Sequence, residues 1–343
     1  MSGLSSELKR IICVLVAFGA LAAVTPFLDD YTQTIITRAL VFAIMAMSLD
    51  ILMGYTGLRS MGHGAYFAFG AYSTAILITQ VKGVGILTVF GVGLFLSFVV
   101  AAFLGLLAVR ATGVYFLMIT LSFSMVVWGL AYRWHTVTGG DNGIAGIVPL
   151  PVFGISLENP VAFFYFTFAI FMICMGLLYL LVKSPFGKTL VGIREGEARM
   201  KMLGYNTWLH KYLAFVISGT FAGISGILWA MLNRFIAPTD VELVTSVEAL
   251  LMVALGGPAT LVGPVIGAAI IMFLRYWVST YIERWYMILG TTYIITILYA
   301  REGLLGLAER LWSRPAAEPE GPAPVAVGRA VPSLTTLEGR KQS

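Results

Sequence analysis

Charged side chains interrupt otherwise apolar stretches of this 343-residue sequence, among them Asp50, Glu248 and Arg275. A charge is costly to hold in a lipid-like solvent, so such residues serve a pathway, a gate or an ion pair. Asp50 precedes Gly54 and Gly57, Glu248 precedes Gly256 and Gly257, and each set leads into a Gly-studded apolar run. The two sets echo one another, as internal repeats of transporters do, although their spacings differ. With His63 they form the candidate pore or gate group. The competing reading is structural: the carboxylates cap helices or pair with cations, and the glycines reflect membrane-helix composition.

Catalytic chemistry finds no support. His63, His135 and His210 are far apart and make no HExxH pattern, and no GxSxG pattern occurs. The run Gly187-Lys188-Thr189 resembles the end of a phosphate-binding loop, but its required earlier glycine falls at Val182, and an apolar run precedes it instead of a strand. Cys13 and Cys174 sit in apolar runs without disulfide or metal spacing. The chain is expected to be no enzyme, with no cofactor and no metal.

The elements around these residues must be membrane helices. Hydrophobic types make up 59% of the chain and charged types 11%, against about 25% charged in a soluble domain. Mean hydropathy is +0.89. Only helices and closed barrels satisfy their backbone in lipid. Barrel strands would alternate apolar and polar residues over about ten positions, whereas the runs here are continuously apolar and fit a core of about 30 Å. Spans are predicted near 11–28, 35–53, 61–80, 84–109, 113–132, 160–182, 212–232, 246–257, 261–281 and 285–300. The fold class is therefore an all-α integral membrane bundle of about ten transmembrane helices. The spans at 61–80 and 246–257 are Gly-rich or short and read either as full crossings or as re-entrant or broken helices.

Basic residues in short loops orient the bundle. Lys9 and Arg10 put the N-terminus inside, and Asp29 and Asp30 follow outside. The 133–159 loop then lies outside. The most basic segment, 183–211, lies inside with Lys183, Lys188, Arg194, Arg199, Lys201 and Lys211. An N-in, C-in multi-pass protein results. This distribution accounts for the net charge of +5 without a nucleic-acid partner. The first span exceeds the usual signal-peptide length and reads as an uncleaved anchor. Residues 1–310 form the transmembrane domain, with 184–210 as a cytoplasmic segment. Residues 311–343, rich in Pro, Ala and Gly, read as a disordered cytoplasmic tail.

Within that segment, Ser184, Phe186 and Gly187 end a span, and 195–203 can form a short helix closed by Gly204. Glu195 with Arg199 and Glu197 with Lys201 have favourable i,i+4 order. Ala198, Met202 and Leu203 give a small apolar side. Such a helix can dock on a soluble partner, or it can be an ordinary basic loop. The stripe of Ser218, Gly219, Ala222, Gly223, Ser225 and Gly226 reads as helix packing. The outer loop holding Thr138, Gly139, Gly140, Asp141, Asn142 and Gly143 reads equally as a docking loop or a plain turn.

Several blocks carry a resemblance: SPFGKTLVGIREGEARMKMLGYNTWLHKYLAFVISGTFAGISG (184–226), GYTGLRSMGHGAYFAFGAY (54–72), TGGDNGIAGI (138–147), SVEALLMVALGGPATLVGPVIGAA (246–269) and YAREGLLGL (299–307). Together they resemble the branched-chain amino-acid permeases of ABC importers, the LivM type, over about residues 35–310. The resemblance implies a bacterial inner-membrane permease that forms a heterodimer with a second permease subunit. It also implies two ATP-binding subunits, a periplasmic substrate-binding protein and a bilayer of membrane lipid around the bundle. Residues Ser184, Phe186, Gly187, Arg194, Glu195, Glu197, Ala198 and Gly204 would then belong to the region coupling to the ATPase. The chain departs from the general coupling signature, because Glu197-Ala198-Arg199 is followed by Gly204 one residue late. A urea or short-chain amide importer has similar blocks. An ion-coupled secondary transporter would need a longer charged relay than Asp50, Glu248 and Arg275 provide.

Overall fold

The computed structural model describes residues 16, 18–81, 83–152 and 154–281, together with 287, 290, 291, 294, 303, 304 and 306. The span expected at 285–300 falls almost entirely outside these residues, and so does the tail at 311–343.

The chain folds as helices: α1 Asp30–Asp50, α2 His63–Gln80, α3 Ile86–Ala108, α4 Val114–Arg133, α5 Pro160–Lys183, α6 Pro185–Met202, α7 Thr207–Asn233, α8 Leu243–Gly256 and α9 Val262–Tyr281. Five helices among the described residues are long and apolar enough to cross a membrane: α1 with its continuation to Thr56, α3, α4, α5 and α7. This is an all-α, multi-pass membrane protein.

Helix α1 is the axis of the bundle. Nearly its whole length is buried, packed by α9, α7 and α5. Helices α2 and α3 pack on α7, whose small-residue stripe makes this possible. A Cβ at Gly223 would press on the Ser97 side chain, and one at Gly226 on the Phe67 backbone. Helices α3, α4 and α5 leave most of their surface outward, with Phe95, Phe103, Val126 and Leu180 exposed, as a lipid-facing surface requires.

Element ends differ from the expected spans for physical reasons. Helix α1 starts at Asp30 rather than near 35, because Thr34 and Thr37 turn their hydroxyls onto the carbonyls of Asp30 and Gln33 at 2.8 Å. It continues beyond Asp50 as a π-helical turn, Ile51–Thr56. Helix α7 starts at Thr207, where Asn206 accepts the Leu209 N–H at 3.0 Å. The expected short helix at 195–203 is the second half of α6. That helix begins directly after α5, with Ser184 as cap accepting the Gly187 N–H at 3.3 Å. It breaks at Gly196, where φ is −177° and ψ 88°.

Of the two spans read as short or broken, one is short and the other is an unbroken helix of 18 residues, His63–Gln80. Helix α8 has 14 residues, about 21 Å of rise, less than a hydrocarbon core of about 30 Å. Before α2, residues 57–62 are non-helical, with Leu58, Ser60 and Gly62 buried and Gly57 and Arg59 exposed; the buried part of such irregular backbone needs protein partners. The Met61 N–H donates to Thr120 Oγ1 at 3.1 Å, and the Gly64 N–H to Ser246 Oγ at 2.8 Å. The Ser124 hydroxyl donates to the Met61 carbonyl at 2.8 Å.

Candidate functional site

The π-helical end of α1 is where the sequence candidates converge. Asp50 is fully buried. Its Oδ1 accepts the Ala259 N–H at 2.7 Å and its Oδ2 accepts the Leu261 N–H at 3.3 Å. The turn it grips joins α8 to α9 and is strained: Ala259 and Leu261 have φ of 64° and 53°. Left-handed non-glycine residues cost about 1–3 kcal/mol each and persist only where surroundings over-determine them. The Asp50 carboxylate is one such determinant.

Gly54 lets this contact form. A Cβ there would overlap Asp50 Oδ1 and the Ala259 backbone nitrogen, so any side chain would push the turn away. The Gly54 carbonyl points the other way and accepts from Arg194 Nη1 of α6. Gly57, at φ 78°, closes the π-helical turn, with the Arg194 Cγ close beside it. Gly256 and Gly257 lie at the same turn, and a Cβ on Gly303 would meet the Gly257 backbone. Asp50, Gly54, Gly57, Arg194, Gly256 and Gly257 thus form one cluster. It links a polar helix outside the core to the axis of the bundle and to the α8–α9 turn.

The second half of α6 is held to α7 by Glu197. Its Oε1 is 3.0 Å from Lys201 Nζ and accepts from the Thr207 hydroxyl at 3.2 Å. Its Oε2 accepts from the buried Lys211. Burial opposes ionisation of Glu197, but hydrogen bonds and attraction from Lys211 and Lys201 outweigh it and hold its carboxyl below the ordinary value. Among the described residues Glu195 and Arg199 form no ion pair, because the break at Gly196 removes the helical register between them. Ala198, Arg199, Met202, Leu203 and Gly204 are exposed, with Met202 at 82% and Leu203 at 66%. Phe186 stacks on His210. These two rings, with Met200 and Tyr205, line an open groove of about 510 Å³ between the arms of α6.

The other candidates lie apart. His63 is buried in the centre. The Ser218 hydroxyl donates to the Ser48 carbonyl, so His63 Nε2 carries the proton and donates to Ser218 Oγ at 2.8 Å. Glu248 is buried and ion-paired to Arg275 at 2.9 Å. The loop 138–143 stands at the far end of α4 as a built turn. Thr138 donates to the Ala131 carbonyl at 2.6 Å, and Ile144–Ala145 (β1) pairs with Phe235–Ile236 (β2). A Cβ on Gly140 would strike the His135 ring, while Asp141 and Asn142 stay exposed at the tip.

Two residues escape sequence reading. Lys211 reads as one more inside charge, yet it is buried against Glu197. Arg38 lies in the second apolar span, and a charge there is itself a signal. The positive φ of Ala259 and Leu261 leaves no trace in residue type.

A model of the family described as "Branched-chain amino acid transport system / permease component" matches residues 31–298. The chain is 26% identical over 315 residues to the high-affinity branched-chain amino acid transport system permease protein LivM of Escherichia coli, covering 85% of this chain and 74% of that protein. It is 23% identical to the probable branched-chain amino acid transport permease protein LivH of Methanocaldococcus jannaschii, over 77% of this chain and 88% of the relative. It is 22% identical to the high-affinity branched-chain amino acid transport system permease protein BraD of Pseudomonas aeruginosa, over 83% and 98%. No solved structure matches. A family match over most of the chain, on a multi-pass helical bundle, makes this protein a member of the branched-chain amino acid transport system permease family.

Proposed function

We propose that the chain is the membrane-spanning subunit of an ATP-driven importer for branched-chain or related apolar amino acids. It pairs with a second permease and two ATP-binding subunits and receives substrate from a periplasmic binding protein. It sits in the bacterial inner membrane with about ten crossings and both termini inside, on the positive-inside rule. The relatives, named as branched-chain amino acid transport permeases, support the substrate class.

The observation that carries the mechanism is the Arg194 contact. Helix α6 has a polar, basic composition and joins the bundle axis through Arg194 and the Gly54 carbonyl. A charge-assisted hydrogen bond is worth about 1.5–3 kcal/mol, enough to make α6 and the end of α1 move together. A partner that pushes on α6 would move the Asp50-held α8–α9 turn, which is how ATP binding on a separate subunit would reach the pathway. The exposed Met202 and Leu203 beside the groove supply the docking face.

The test is the Met202→Glu/Leu203→Glu variant, co-expressed with the two ATP-binding subunits. Membrane abundance should stay normal while co-purification of those subunits falls at least fivefold. Unchanged co-purification would remove α6 as the docking element.

A further inference from the structure

We infer that a carboxylate-binding subsite lies at the end of the bundle away from α6, centred on Arg38; the inference rests on the transporter reading above and adds where substrate is held. Arg38 is the ninth residue of α1, about 12 Å along the helix, so its charge sits well within the bundle. The guanidinium lies 4.6 Å from the Tyr276 ring centre and 5.8 Å from that of Trp229. Its Nη2 donates to Asn233 Oδ1 at 3.0 Å. Its Nε is buried without a hydrogen-bond partner.

Among the described residues no carboxylate lies within 4.0 Å of Arg38. Glu248 is taken by Arg275. Asp240 accepts the Ala237 N–H at 3.0 Å and attracts Arg38 only from beyond 4.0 Å. A guanidinium in a low-dielectric bundle is normally paired, and its planar fork fits a carboxylate in two-point fashion. Aromatic faces on either side fix the plane of the fork and give an apolar side chain something to pack against.

A second orphan stands nearby on the neighbouring pair. Glu248 is 1% exposed, and its Oε1 has no hydrogen-bond partner although Oε2 is paired with Arg275. Arg275 precedes Tyr276, the residue that stacks on Arg38. A buried acceptor and a buried donor, both without a partner among the described residues and linked through consecutive Arg275 and Tyr276, suit the two charged ends of a zwitterion. The ligand class is a small α-amino acid with an apolar side chain, held chiefly through its carboxylate.

The test uses the full importer complex in proteoliposomes with its binding protein and labelled L-leucine. Arg38→Gln should leave subunit assembly and ATP hydrolysis near wild type and lower leucine uptake at least tenfold, with partial recovery in Arg38→Lys. Wild-type uptake in Arg38→Gln overturns the subsite. Arginine modification by phenylglyoxal, read at Arg38 by mass spectrometry on the wild-type complex, decides the case even where the variant fails to assemble. L-leucine and 4-methylpentanoate should protect Arg38 at least threefold, and 3-methylbutylamine should not. Absence of protection by either carboxylate, or equal protection by the amine, overturns it. If the wild-type complex takes up no leucine, the transporter reading fails by itself, and protection by 4-methylpentanoate still decides the subsite.

Discussion

Asp50 and Glu248 are both buried carboxylates followed by glycine turns, yet the two ends of the bundle use them differently. Asp50 spends both oxygens on backbone N–H groups of one strained turn. Glu248 spends one oxygen on Arg275 and leaves the other empty. Around Asp50 the neighbours are glycines and main chain, and around Glu248 they include Arg275 and Tyr276. The first end is built to be held in place and to pass on displacement from α6. The second keeps unused hydrogen-bonding capacity, which a passing solute can fill. An echo in sequence thus need not be a repeat in role.

The comparison is broken most forcefully at the held end. Asp50→Leu strips the acceptor from the buried Leu261 N–H and the part-buried Ala259 N–H, the buried one costing about 1–3 kcal/mol, and releases the positive-φ turn. The variant should insert yet lose most uptake, with its melting temperature lowered in detergent. Normal uptake would show that the turn holds without its tether. Gly54→Ala should act almost as strongly, since its Cβ would collide with Asp50 and Ala259. A fully active Gly54→Ala protein would mean that the end of α1 is looser than its packing implies.

A smaller effect is expected where α6 meets α7. Glu197→Lys leaves the buried Lys211 facing a like charge. Breaking a buried pair costs about 3–5 kcal/mol, but the Glu197 side chain is 32% exposed and partly screened by solvent, so a smaller loss, about 1–2 kcal/mol, is expected. The measurement is thermal unfolding of the purified permease, with ATP-binding subunits scored by co-purification. The pH dependence has a definite sign. The Glu197 carboxyl is depressed from 4.5 in the folded protein. Its contribution is therefore full above that value and lost as pH falls through the folded value. The stability gap between wild type and Glu197→Gln should be constant near pH 7 and should shrink at the acid end of a titration. A gap that widened on acidification would contradict the pairing.

The smallest effects belong to the tip and the tail. Asp141→Ala is exposed and should change stability by less than about 0.5 kcal/mol; uptake at saturating binding protein separates a docking role from a plain turn. Truncation after Arg314 should leave uptake near wild type, because that composition cannot bury enough surface to order itself. A severe defect in either would move function away from the two ends compared above.

Much of this was legible in residue order. Continuous apolar runs require helices in lipid, because backbone groups there have no other partner, and α1, α3, α4, α5 and α7 follow. The brevity of α8 was readable from glycines and length. Asp50, Gly54, Arg194 and Gly257 could each be picked out by type, since a buried charge or a clustered glycine needs a reason. Their meeting could not. Asp50 and Ala259 are 209 positions apart in sequence, and Gly54 and Arg194 are 140 apart. Local periodicity reports which face of a helix is apolar but not which distant backbone will offer it a hydrogen bond. The positive φ at Ala259 and Leu261 lies further out of reach, because those residue types disfavour it and only the surrounding packing imposes it. Sequence alone therefore determined the solvent, the helices and the residues under constraint. Tertiary structure decided which of those residues became a tether, which an ion pair, and that Arg38 has no carboxylate within 4.0 Å among the described residues.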